Sequence, residues 1–93
     1  SAPERTNQGS SIKAYPNPVN DYLYLEFTEG ISTSAIRGSS LVDASGRVLG
    51  EIRLEEVGNG QLGFSTQELK AGMYFLRLST RDTLHLIKFT VIR

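Results

Sequence analysis

Few residues of this chain could carry covalent chemistry, and their spacing does not bring them together. His85 is the sole histidine among 93 residues, and there is no cysteine. A zinc site needs several nitrogen, sulfur or carboxylate donors at short regular spacing, and His85 has no second nitrogen or sulfur partner so placed. Ser39, Ser40, Ser45 and Ser65 stand in no strand–turn–helix elbow, and one histidine gives them no triad. Asp43, Glu55, Glu56 and Asp82 are scattered over turns and outer strand faces. Neither a calcium loop nor a pair of carboxylates flanking a glycosidic bond is expected from them. The reading is a non-enzyme that needs no cofactor and no metal.

What remains is recognition. Lys88, Phe89, Val91 and Arg93 belong to the last apolar stretch, Lys88-Phe89-Thr90-Val91-Ile92-Arg93, which ends the sequence on a strand. If that strand is an edge, its free N–H and C=O groups can accept a partner strand, with side chains setting specificity. Lysine on an edge also discourages sheet-to-sheet aggregation. Pro16, Asn17 and Pro18 invite the same pair of readings, as a recognition element or as a rigid start to an edge strand that blunts aggregation. Asp43, Gly46 and Gly72 are read as turn residues. A β-carbon at positive φ costs about 1 kcal/mol or more, which is reason enough for Gly46.

Periodicity predicts the strands and turns on which these residues lie. Ser1–Ser11 (SAPERTNQGSS) is polar, with no large apolar residue, and reads as a flexible leader. The domain is expected over residues 12–93. Ile12 to Tyr15 makes a short strand, and Pro16 and Pro18 keep the adjoining backbone extended on a sheet edge. In Tyr22 to Thr28, Leu23, Leu25 and Phe27 share one face, and Glu29-Gly30 ends the strand. A weakly marked strand reaches Leu41 and Val42. Asp43-Ala44-Ser45-Gly46 turns it into a return strand, Arg47 to Glu56, with Val48, Ile52 and Leu54 inward and a bulge at Gly50. After the turn Val57-Gly58-Asn59-Gly60, Gln61 to Ser65 is a short strand. Thr66 to Leu69 is one helical turn capped by Ser65 or Thr66. Met73 to Thr80 then alternates about Tyr74, Leu76 and Leu78. Thr83 to Arg93 closes the chain with Ile87, Phe89 and Val91 facing the core. The sum is an all-β domain, a small antiparallel Ig-like β-sandwich of about seven strands.

Composition excludes several classes. Ten basic and ten acidic residues give a net charge of zero, so nucleic acid is not an expected partner. No apolar run approaches the ~20 residues of a membrane-spanning helix. The chain does not begin with Met and is expected to be a piece of a longer protein.

Tyr15-Pro16-Asn17-Pro18, the strand Leu23-Tyr24-Leu25-Glu26-Phe27, the hairpin Val42-Asp43-Ala44-Ser45-Gly46-Arg47-Val48, the stretch Leu69 to Leu78 and the ending Lys88 to Arg93 occur in order. In that order they resemble the type A C-terminal sorting domains of cargo proteins of the type IX secretion system in Bacteroidota, over roughly Ile12 to Arg93. The resemblance implies a non-catalytic address tag. Such a tag folds in the periplasm and carries covalently attached N-terminal cargo to an outer-membrane translocon. A surface sortase-like protease then commonly cuts it away, leaving the cargo at the cell surface or secreted. Two departures stand out: Arg37-Gly38-Ser39-Ser40 is more polar than is usual in the family, and Arg93 replaces the common terminal lysine. An edge-strand dimer is a further association the terminal strand would allow. The alternative is a carbohydrate-binding or adhesion module stacking sugars on Tyr22, Tyr24 and Phe75. The absence of tryptophan weighs against it.

Overall fold

Alternating apolar side chains build two four-stranded sheets. In the computed structural model, residues 12–27, 33–58 and 60–93 are described. The leader 1–11, the end of the second predicted strand at Thr28, the Glu29-Gly30 turn and Asn59 lie outside the described residues. The strands are β1 (Ile12–Tyr15), β2 (Tyr22–Phe27), β3 (Gly38–Asp43), β4 (Val48–Glu51), β5 (Glu55–Gly58), β6 (Gln61–Ser65), β7 (Gly72–Ser79) and β8 (Leu84–Val91). One sheet runs β1-β2-β6-β5 and the other β4-β3-β7-β8, each antiparallel throughout. These are the A-B-E-D and C′-C-F-G orders of an immunoglobulin-like sandwich, so the predicted class holds.

Among the described residues there are eight strands rather than about seven, because the single return strand expected over Arg47–Glu56 is two. β4 pairs with β3 in one sheet and β5 with β6 in the other, and residues 52–54 cross between them. Ile52 and Leu54 are partly buried against the core on this crossing, as expected. Val48, predicted inward, is 53% exposed. The register explains it. Leu41 faces Gly50 and Val42 faces Val48, so Leu49 is an extra residue, and the bulge expected at Gly50 lies beside it.

The inner faces meet over Leu23, Leu25 and Phe64 from one sheet and Leu41, Tyr74, Leu76, Leu78, Ile87, Phe89 and Val91 from the other. Phe89 is fully buried at the centre, edge-on to Phe64 at 5.9 Å between centroids and stacked on Tyr74 at 5.7 Å. The Tyr74 hydroxyl donates to the Lys70 carbonyl at 2.7 Å, which satisfies its polar end. Thr66–Leu69 is a single turn, closed by the Leu69 N–H on the Thr66 carbonyl, with the Gln67 N–H on Ser65 Oγ.

The expected extended run through Pro16 and Pro18 is instead a bend. The Tyr15–Pro16 and Asn17–Pro18 peptide bonds are both cis, and residues 16–18 carry the chain from β1 to the edge of β8 in the opposite sheet.

Candidate docking edge

β8 is an outer strand of its sheet, paired with β7 from Ser79–Leu84 to Gly72–Val91. Its other flank is half covered, by the segment after β1. Val19, fully buried, makes a parallel bridge to Val91: its N–H bonds the Thr90 carbonyl at 2.8 Å, and its carbonyl takes the Ile92 N–H at 2.9 Å. Beside it the Asn17 side chain acts as a short piece of backbone. Asn17 Oδ1 accepts from the Thr90 N–H at 3.0 Å, and Asn17 Nδ2 donates to the Lys88 carbonyl at 3.2 Å. The proline motif and the terminal motif, far apart in sequence, therefore form one surface. Pro16, Asn17, Pro18 and Lys88 are all exposed there, apart from the contacts just named.

The other terminal residues are placed differently. Phe89 and Val91 point into the core and present no side chain to a partner. Arg93 folds back onto the domain. Its Nε donates to the Leu69 carbonyl at 3.1 Å and one terminal nitrogen to the same oxygen at 2.7 Å. The guanidinium also donates to the carbonyls of Thr66 and Asn20 and approaches Asp21 at 4.0 Å. A planar fork of fixed donors suits this geometry, in which two separate loops, after β1 and after β6, must be gripped at once. No spacing in the sequence announced it, because the acceptors are backbone oxygens whose position depends on the fold.

Of the residues read as turn residues, Asp43 and Gly46 bound the turn between β3 and β4, with the Gly46 N–H on the Asp43 carbonyl at 2.9 Å, while Gly72 lies in a strand. Asp43 Oδ1 accepts from the Ser45 N–H at 3.0 Å, the Ser45 hydroxyl at 2.7 Å and the Arg47 N–H at 2.9 Å. Those bonds, the Ser45 hydroxyl foremost, hold its carboxyl below the ordinary value of 3.8. Gly46 turns the chain at φ 94°. Gly72 begins β7 opposite Val91.

The proposed stacking platform is not assembled. Tyr22 and Tyr24 lie on the outer face of the β1-β2-β6-β5 sheet, where Tyr24 stacks on Tyr15 at 5.7 Å. Phe75 belongs to β7 in the other sheet. The Tyr22 hydroxyl donates to Glu55 at 2.8 Å, and desolvation together with that carboxylate pushes it up to about 12. Gln61 donates to the Tyr15 hydroxyl. Among the described residues, no group of three or more His, Cys, Asp or Glu side chains could hold a metal ion.

A comparison with curated proteins finds no match. The profile of a protein family, the secretion system C-terminal sorting domain, matches residues 13–93, from the second residue of β1 to Arg93. That span takes in both halves of the shared surface and every strand of the sandwich except its first residue. The chain belongs to this family, the C-terminal sorting signals of type IX secretion, and so to a protein exported across the outer membrane to the cell surface or beyond.

Proposed function

We propose that this domain carries a cargo, attached before Ser1, through the periplasm to the outer-membrane translocon, and that a sortase-like protease then separates the two within residues 1–11. The observation that carries the reading is the family match across a closed β-sandwich that begins at Ile12, directly after a polar segment. A protease cleft needs a run of extended backbone. The described residues, 12–27, 33–58 and 60–93, lie in strands, turns and short connections of the sandwich, which would have to open to supply it. The contact surface for the machinery is the joined patch of Pro16, Asn17, Pro18 and Lys88 on the flank of β8, with Phe89 and Val91 anchoring that strand in the core and Arg93 fastening its end to two loops.

The test is a reporter with residues 1–93 fused at its C-terminus, expressed in a cell with a type IX system, and mass spectrometry of the surface product. The reporter is expected to arrive without the sandwich and to end inside residues 1–11. A product cut within 12–93, or one still carrying the whole domain, overturns the cleavage reading.

A further inference from the structure

The flank of β8 that Asn17 and Val19 do not cover is a site in itself. The Lys88 carbonyl, both backbone groups of Thr90 and the Ile92 N–H bond away from β7, to Asn17 and Val19. Residues of an antiparallel ladder alternate between bonding their partner and pointing away from it. Leu86, opposite Arg77, and Leu84, opposite Ser79, therefore belong to the same outward set as Lys88 and Thr90. Among the described residues, the Leu86 N–H and C=O and the Lys88 N–H have no strand beside them. They border a cleft of about 350 Å³ where the edges of β1 and β8 approach each other. Ile12, Ala14, Phe75, Leu86 and Ile87 line it with apolar groups, and Asn17 and Lys88 are its polar lining residues.

We propose that an extended segment of a partner protein adds to β8 along Leu84–Lys88, in register with the bonds Asn17 already makes. The spacing dictates the occupant. Outward groups recur every second residue, about 6.8 Å apart, and an extended backbone matches that repeat. Side chains of the added strand alternate. One set enters the cleft over Ile12, Ala14 and Ile87 and must be small and apolar. The other lies on the outer face beside Leu86 and Lys88, where an acidic residue meets the exposed ammonium of Lys88. Asn17 is the stop that ends the incoming strand. The inference rests on the sorting-signal reading only for which protein supplies the strand.

The probe is a capped seven-residue peptide of alternating valine and threonine with one glutamate, added to the 93-residue chain and followed by amide hydrogen exchange. Binding is expected to slow exchange of the Leu86 and Lys88 amides by about tenfold, with Thr90 unchanged because Asn17 already holds it. Leu86→Pro removes an outward N–H that β7 does not use, so it is expected to keep the fold and weaken the peptide about tenfold. Lys88→Glu, at an exposed position, keeps the proposal testable if the proline variant fails to fold, and is expected to weaken the same peptide. The proposal is overturned if the wild-type chain leaves these amides unprotected or protects amides on another edge. It is also overturned if a folded Leu86→Pro chain binds equally well, or if self-association of the chain fills the edge in place of the peptide. A failure here with normal export of the reporter removes the docking edge and leaves the sorting reading intact. A reporter that fails to leave the cell removes the sorting reading whatever the peptide does.

Discussion

The Asn17 carboxamide bonds Thr90 as a neighbouring strand would, taking its N–H at 3.0 Å while donating to the Lys88 carbonyl at 3.2 Å. One side chain thereby closes part of an edge that would otherwise be open. Asn17→Ala is expected to cost about 1 kcal/mol and to speed hydrogen exchange at the Thr90 amide. Asn17→Asp keeps the acceptor for Thr90 but sets a carboxylate oxygen against the Lys88 carbonyl, so it is expected to be no better than alanine at neutral pH. Urea unfolding with residue-resolved exchange checks both.

Arg93 reaches the carbonyls of Asn20, Thr66 and Leu69 and so fastens the strand to two loops. Hydrogen bonds from a charged group to partly exposed acceptors predict a loss of about 1–2 kcal/mol for Arg93→Ala. Arg93→Lys should recover part of this, because one ammonium cannot span three acceptors as a guanidinium does. Equilibrium unfolding of the two variants measures the difference.

Gly63 sits under the ring of Tyr22. A β-carbon there would lie 2.6 Å from that ring and 2.9 Å from the Leu23 carbonyl oxygen. The ring could swing away, but the backbone oxygen could not without moving β2 from β6. Gly63→Ala is expected to destabilise the domain by about 1–3 kcal/mol and to disturb the Tyr22–Glu55 bond, read by unfolding and by the alkaline titration of Tyr22.

His85 is buried on the inner face of β8, and desolvation holds its imidazole below the ordinary value of 6.5. The unfolded chain therefore binds the proton more readily than the folded one. Its contribution is complete above pH 6.5 and is lost as pH falls through the folded value. The urea midpoint should decline between about pH 7.5 and pH 5.5, a window in which the carboxylates barely titrate. His85→Leu should flatten that decline.

The strands β2, β7 and β8 were legible because each has one buried face, and the period of two appears directly in Leu23-Leu25, Tyr74-Leu76-Leu78 and Ile87-Phe89-Val91. The division of Arg47–Glu56 was not. Val48, Ile52 and Leu54 look alike as apolar positions in a sequence, yet the latter two belong to a crossing between sheets. The polar stretch at Ser39 and Ser40 forms β3 all the same. Ser39 Oγ donates to the Ile52 carbonyl at 2.6 Å, and both serines pair with β7. The site was half legible. Proline and terminal motifs could each be singled out, but their meeting at Asn17 and Lys88 joins residues 71 apart, a contact that only the tertiary fold creates.

Whether this sandwich is an export address can be read from one reporter, fused ahead of residues 1–93, in two cells that differ only in a working type IX translocon. Reporter is expected at the surface or in the medium of the competent cell, and as folded, uncut fusion in the periplasm of the other. Equal export from both cells, or retention in both, would contradict the sorting function.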